Sequence, residues 1–262
     1  TGSSTHGSLG ACVVRTLAGA GASGIVCTGS RPSPAFVQEM NEDYRDCAIS
    51  YIQADMGDPA ACASLVDKAA EGFGGALYGV ACCAGVAFPR ATLETTTLES
   101  WSRMMDVNVR APMLLTQHAA RVMRQAGIQG SIVYVGSIAS YGGAPFISPY
   151  SVSKGALNAL TKVAASELQA DRIRVNCLNI GQTLSANEAK EQAKEQGDDW
   201  LSKTEALSPI GRLLRPEDIA PTMGLLMSDS STMVTGSLID ISPDFIHGCL
   251  PAGLGKINDV AL

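Results

Sequence analysis

Apolar positions along this chain follow two periods in turn. Short runs rich in Val, Ile, Ala and Cys stand at Gly24–Thr28, Ala48–Gln53, Leu77–Cys82, Ser131–Val135, Arg174–Leu178 and Ser237–Ile241. They lack the alternating polarity of a half-solvated strand, so each is expected to be buried on both faces, as in a parallel sheet. Between them the pattern is helical and predicts helices over Ser8–Ala20, Pro34–Asp43, Pro59–Phe73, Leu98–Gln125, Pro149–Gln169 and Pro216–Met227. Several open on helix-start chemistry, with a capping side chain followed by Pro, as in Asp58-Pro59 and Arg215-Pro216-Glu217-Asp218. Strands alternating with helices across short joins imply right-handed crossovers. The predicted fold is α/β, a Rossmann-like doubly wound parallel sheet with helices on both faces. Residues 1–262 read as a single domain, without repeat, linker or low-complexity tract.

One stretch breaks the rhythm. Gln182–Ser208 is polar and charged, and it follows the carboxyl end of the run Arg174–Leu178. In an open α/β sheet ligands lie beyond those ends, so residues of about 182–208 are expected to form a lid over a substrate, a solvated helical insertion being the alternative.

Composition narrows the function classes. The 262 residues are 46% hydrophobic, enough for a sizeable core, with a net charge of −6 and scattered Lys and Arg. A nucleic-acid surface needs concentrated positive charge and is not expected. No run approaches the roughly 18 consecutive apolar residues of a membrane span, and no basic-then-apolar leader opens the chain. A cytoplasmic protein is the expectation. Eight cysteines without a Cys-x-x-Cys pair read as small buried hydrophobes, with no metal site.

Candidate chemistry begins at the first residues. Thr1-Gly2-Ser3-Ser4-Thr5-His6-Gly7-Ser8-Leu9-Gly10 is a Gly/Ser/Thr turn entering an apolar helix. Glycines there admit a pyrophosphate to free backbone amides at the helix start, which makes Gly2, Ser4, His6 and Gly7 cofactor-binding candidates. The glycine spacing departs from the usual dinucleotide fingerprint, and a tight turn alone would explain it equally. Further on, Tyr150 and Lys154 stand four apart on a predicted helix and share a face. An ammonium there would stabilise phenolate and lower the tyrosine toward working pH, as general acid/base work requires. Ser137 falls just past a strand end, where its hydroxyl can hold a substrate oxygen. Asn108 falls mid-helix, a mediocre place for Asn unless its amide is used. Singly, each has a bland reading as a cap, an interfacial ring, a solvated cation or a packed amide. Together and in this order they converge on one site.

The chain resembles the short-chain dehydrogenase/reductase family over nearly its whole length. The likeness rests on the glycine-rich start, Asp55, Cys83-Ala84-Gly85, Asn108, Ser137, Tyr150, Lys154, Arg174-Val-Asn-Cys-Leu-Asn-Ile-Gly181, and Pro209-Ile-Gly-Arg212 with Pro216-Glu-Asp-Ile-Ala220. The resemblance implies an NAD(P)-dependent alcohol/carbonyl oxidoreductase and a homo-oligomer, tetramer or dimer. It implies Tyr150 as acid/base, Ser137 holding the substrate oxygen, Lys154 on the nicotinamide ribose, and Asn108 helping a water relay. It also implies Asp55, with Met56, at the adenine. Cys83, Ala84 and Gly85 would lie along the cofactor, and Ile180-Gly181 with Thr183 and Ser185 at the nicotinamide. Three departures stand out: Cys82-Cys83 replace the usual asparagines, Ile180-Gly181 the usual Pro-Gly, and Asp240-Ile-Ser242 the usual Asp-Gly-Gly. The turn that normally follows a central first strand stands at Thr1-Gly2. That strand is therefore expected to be absent, leaving a slot beside Gly24–Thr28 or a substitute filling it.

Cofactor choice is read from charge. No Asp or Glu occurs between Thr28 and Glu39, and Arg31 follows the strand Gly24–Thr28. A guanidinium beside small hydroxyls suits a 2′-phosphate, which favours NADP(H) with NAD(H) possible. A small polar alcohol, sugar or polyol is the expected substrate, on the polar candidates Gln182, Asn187, Glu188 and His247 beside Ser137 and Tyr150. The alternatives are a 3-oxoacyl-thioester reductase and, from another class, a non-catalytic nucleotide-binding regulator or scaffold. The tail from 243 is expected to fold back and form a wall of the pocket near Phe245 or His247, since Phe245, Ile246 and Leu250 are costly to leave in water.

Overall fold

A computed structural model describes residues 1–3, 6–142 and 144–243, so the expected pocket wall beyond 243 lies outside the described residues. The chain runs α1 (Leu9–Gly19), β1 (Gly24–Gly29), α2 (Pro34–Asp43), β2 (Ala48–Gln53), α3 (Pro59–Glu71), β3 (Gly79–Cys82), α4 (Leu98–Met105), α5 (Ala111–Ala126), β4 (Ser131–Ser137), α6 (Ser148–Glu167), β5 (Arg174–Ile180), α7 (Ala186–Gln196), α8 (Trp200–Leu207), α9 (Pro216–Met227) and β6 (Leu238–Ile241). The start signals work as read. Asp58 caps α3 by accepting from the Ala60 amide at 2.9 Å, with Pro59 behind it. At α9 the Asp218 carboxylate accepts from the Arg215 amide at 2.8 Å.

All strands are parallel, in two pieces ordered β1-β2 and β3-β4-β5-β6. Between the pieces lie residues 1–3. The Thr1 amino group donates to Ala81 O at 2.5 Å, and the Ser3 amide donates to Thr28 O at 3.0 Å. The expected interruption beside β1 is therefore present, and residues 1–3 bridge it at its carboxyl end.

Strand β4 displays the doubly wound logic. Ile132 and Tyr134 pack with Leu65, Leu115, Met123 and Leu157 from α3, α5 and α6. Val133 and Val135, on the opposite face by the two-residue period, pack with Leu9, Val13, Ile219 and Met223 from α1 and α9. Helices thus cover both faces, as the unbroken apolar runs required.

Three expectations are corrected. Strand β2 does alternate, with Ala48, Ser50 and Gln53 exposed and Ile49 buried, because it is an edge strand. The helix expected over Leu98–Gln125 is two helices separated by a π-turn at Asp106–Arg110, where Pro112 follows in the next turn. Strands β4 and β5 run two residues further than read, which puts Ser137 and Ile180 at their last positions. Residues 182–208, read as a lid or a solvated helical insertion, hold two helices, α7 and α8. Seven described cysteines are free thiols. No described helix is long and apolar enough to cross a membrane.

Candidate active site

The carboxyl edge of the sheet gathers most of the residues singled out above. Ser137 closes β4, and its Oγ accepts from the Ala139 amide at 3.1 Å, turning the chain away from the sheet. Its hydroxyl also hydrogen-bonds the phenol of half-buried Tyr150, in the first turn of α6. One turn on, Lys154 is only 3% exposed; its Nζ donates to Val135 O at 2.7 Å and lies 5.6 Å from the Tyr150 ring centre. The i, i+4 spacing thus does set both groups on one face, against the end of β4.

Asn108 sits in the π-turn, 1% exposed. Its amide accepts from Val86 N and donates to Val86 O, both at 2.8 Å, and donates to Ser153 Oγ at 2.9 Å. Both N–H donors are therefore spent on bracing the loop after β3 against α6. The remaining lone pair on Oδ1 is what is left for a water. The π-turn is the local distortion that aims this side chain inward, a common use of such bulges.

Electrostatics differ from the sequence expectation. Burial pushes the Tyr150 phenol up to about 12, with the Ser137 hydrogen bond opposing and the charge of Glu188 reinforcing the rise. Lys154 is pushed down to about 8, again chiefly by burial. Desolvation dominates at both groups, and the only contact lowering the phenol is the Ser137 hydrogen bond. At neutral pH Tyr150 keeps its proton and is poised as an acid.

The glycine-rich start forms a tight cradle. Gly2 has φ +71°, and a Cβ there would meet the Ala84 amide nitrogen at 2.9 Å; a Cβ on Gly10 would meet Gly2 O at 2.4 Å. Only glycine permits these approaches, which bring the start of α1 against Cys83-Ala84-Gly85. Ser8 caps α1 by accepting from the Ala11 amide. A cleft of about 380 Å³ lies between this turn and the start of α7, lined by Gly7, Leu184, Ser185, Ala186, Arg215 and Pro216. A cradle where Cβ atoms are forbidden, beside a helix start, fits a dinucleotide.

Other candidates are placed as follows. Ser4 and His247 lie outside the described residues. His6 turns toward α2, 3.4 Å from Glu39 and edge-on to Phe36. Arg31 is exposed just past β1 and makes no ion pair among the described residues, whereas Glu39 is engaged by Arg15 at 2.6 Å. A concavity of about 560 Å³ beside Arg31 is lined by Pro32, Ser33, Val37, Tyr51 and Gln53. Asp55 accepts from the Gly57 amide at 2.8 Å and from Arg103 at 3.0 Å; these bonds hold its carboxyl below the usual carboxylate range, and Met56 beside it is buried. The Gly181 amide donates to Ile241 O at 2.9 Å, Thr183 Oγ1 donates to Gly181 O at 2.9 Å, and Ser185 caps α7. The Gln182 carbonyl accepts from the Leu214 amide, and Asn187 is exposed in the first turn of α7. Sequence reasoning missed Arg90, Phe88, Phe146 and the Arg103 partner of Asp55. All but one lie in loops without periodicity, and nothing local to them signals a tertiary contact. Among the described residues no group of three or more His, Cys, Asp or Glu could hold a metal.

Comparison with known proteins finds relatives over most of the chain. Residues 2–242 match the family model described as enoyl-(acyl carrier protein) reductase. The chain is 34% identical over 191 residues to the cis-4-hydroxycyclohexanecarboxylate dehydrogenase of Sinomonas cyclohexanicum, covering 73% of this chain and 74% of the relative. It superimposes with a TM-score of 0.80 and 30% identity on a short-chain type dehydrogenase/reductase from Mycobacterium ulcerans, over 90% of this chain and 84% of that one. A blue fluorescent protein from a metagenomic library, solved in complex with NADPH, gives a TM-score of 0.79 at 27% identity over 92% of this chain and 94% of its own. Relatives named as dehydrogenases and a neighbour solved with NADPH make this chain a nicotinamide-dependent oxidoreductase, and it belongs to the short-chain dehydrogenase/reductase family.

Proposed function

We propose that the protein interconverts a secondary alcohol and a ketone, with Tyr150 as the proton donor and acceptor. The observation that carries this reading is the junction at the end of β4, where Ser137 hydrogen-bonds Tyr150 and buried Lys154 lies one turn away. A nicotinamide cofactor, when bound, would supply the hydride for carbonyl reduction or accept it in the reverse direction. Ser137 holds the substrate oxygen, and Tyr150 delivers a proton to that oxygen as the carbonyl is reduced. Lys154, with its Nζ beside Gly85 and 5.6 Å from the Tyr150 ring centre, would hold the ribose of a bound cofactor. Asn108 keeps the loop after β3 against α6 and offers its free lone pair to a water that passes the proton on. Residues 182–208 act as the lid, and Gln182 and Asn187 favour a small polar alcohol or polyol. An acyl-thioester substrate is the second reading, favoured by the description of the matching family model. Exposed Leu98, Met113, Val152 and Val163 on α4, α5 and α6 support assembly as a homo-oligomer. The test is absorbance at 340 nm with a panel of ketones, polyols and acyl thioesters and both cofactors; a panel without turnover would overturn the oxidoreductase mechanism.

NADP(H) is the proposed cofactor. It is supported by Arg31, which makes no ion pair among the described residues and follows Ser30, while the nearest acid along the chain, Glu39, is tied to Arg15. Arg31→Ala is expected to weaken NADPH binding by about 1.5–3 kcal/mol, the scale of a hydrogen bond to a charged group, and to leave NADH nearly unaltered. Titration of both cofactors by fluorescence checks this. Equal losses would make Arg31 a structural residue.

A further inference from the structure

The lid helix α7 has an unusual means of attachment. Its sequence, Ala186-Asn-Glu-Ala-Lys-Glu-Gln-Ala-Lys-Glu-Gln196, contains no apolar side chain larger than alanine, and Gln192 is its one buried residue. Hydrophobic burial, which normally seats a surface helix, contributes little here. The stripe Glu188, Gln192, Glu195 (i, i+4, i+7) is polar throughout, and two of its members converge on one cation. The Arg90 guanidinium is 3.3 Å from Glu195 and 3.9 Å from Glu188. It also lies 5.4 Å from the Phe88 ring centre and 5.6 Å from that of Phe146.

Arg90 itself is anchored to the element that carries Tyr150. Its neighbour Ala91 bridges to Ile147, and the Ser148 amide donates to Ala91 O at 3.0 Å, at the very start of α6. On the lid side, Glu188 accepts from Gln192 at 2.6 Å, and its charge is felt at the Tyr150 phenol. The cation therefore joins three segments around one site: the loop after β3, the entry to α6, and α7.

We infer that Arg90 is the clasp that seats α7 over Tyr150, a positioning residue acting through Glu188 and Glu195 that sets substrate access. This rests on the reading of residues 182–208 as the lid. An inconsequential surface ion pair fits poorly, because the Arg90 and Glu188 side chains are only 23% and 21% exposed. Partial desolvation and two aromatic faces strengthen the attraction well beyond that of a solvated pair. A receptor for a substrate carboxylate fits poorly as well. Two carboxylates already face the single guanidinium, so the local charge is net negative and an incoming anion is repelled.

The test is trypsin cleavage of the full-length protein with saturating NADPH, read by mass spectrometry after Lys190 and Lys194 in α7 and after Lys162 in α6. Arg90→Ala and Glu195→Gln are each expected to speed α7 cleavage, about tenfold for Arg90→Ala as local opening becomes easier, with Lys162 cleavage unchanged. Adding Glu195→Gln to Arg90→Ala should bring no further acceleration, since the pair is already broken. Wild-type cleavage rates in both single variants, or effects that add fully in the double, would overturn the clasp. Glu195→Gln alters an exposed lid residue and carries the test if Arg90→Ala folds poorly. Cleavage is read without turnover, so an inactive carbonyl panel would sink the catalytic reading and leave this measurement decisive.

Discussion

Tyr150→Phe should lower turnover by about 10²–10⁴, the usual contribution of a positioned general acid, while the protein folds normally. The substitution keeps the ring that packs at the start of α6 and removes only the hydroxyl hydrogen-bonded to Ser137. The stability cost is one hydrogen bond, about 1 kcal/mol. NADPH binding should hardly change, because the cradle formed by Gly2, Gly10 and Ala84 lies on other elements. Because burial holds the phenol up near 12, the wild-type proton donor is intact across the neutral range, and its loss should be equally severe from pH 6 to pH 8. Stopped turnover with retained NADPH fluorescence is the expected signature. Near-normal turnover would remove Tyr150 from the chemistry.

Lys154→Met is expected to separate activity from stability in the opposite direction. The ammonium is buried with a single described acceptor, Val135 O, and no described carboxylate pairs with it. Burying a charge so sparsely compensated is costly, and an isosteric apolar chain removes that cost at the expense of one carbonyl's partner. The variant should therefore be as stable as wild type or more so, by up to about 2 kcal/mol, each kcal/mol being worth roughly 2–4 °C in a chain of this size. Turnover should nevertheless fall by about 10² or more, because the group beside the acid/base is gone. A pH series sharpens this. Lys154 titrates near 8 in the folded protein against an ordinary value of 10.5, so between these values the unfolded chain binds more protons and this group's contribution to stability rises with pH. Below about 8 the folded protein carries the buried charge and bears its full cost. The stability advantage of Lys154→Met should thus be largest below pH 8 and shrink toward pH 10.5, as thermal melts of the two proteins can show. A variant that melts well below wild type yet turns over normally would make Lys154 a purely structural residue.

These two residues also illustrate what could be read from the chain. Four-residue spacing on a helix, a serine after a buried strand and an asparagine in mid-helix are local patterns, and local geometry converts them directly into proximity. Buried strands β4 and β5 were legible for the same reason, as unbroken apolar runs have one stable location. Capped helices such as α3 and α9 announced themselves through Asp58-Pro59 and Pro216-Glu217-Asp218. Where the reading slipped, the deciding force was non-local. Edge position, which no residue in Ala48–Gln53 encodes, exposed one face of β2. The single helix read over Leu98–Gln125 was broken by a π-turn that turns Asn108 toward Val86 and Ser153, partners 22 and 45 residues away.

By itself, then, the sequence settled the α/β architecture, the family likeness and the gathering of Ser137, Tyr150 and Lys154, because periodicity, caps and helical spacing are short-range properties of the covalent chain. Tertiary structure alone decided the protonation balance at Tyr150 and Lys154 and the engagement of Asp55 by Arg103. It also decided the convergence of Arg90, Phe88 and Phe146 on the underside of α7. Each of these depends on desolvation or on contacts between segments tens of residues apart, and such quantities exist only once the chain has folded.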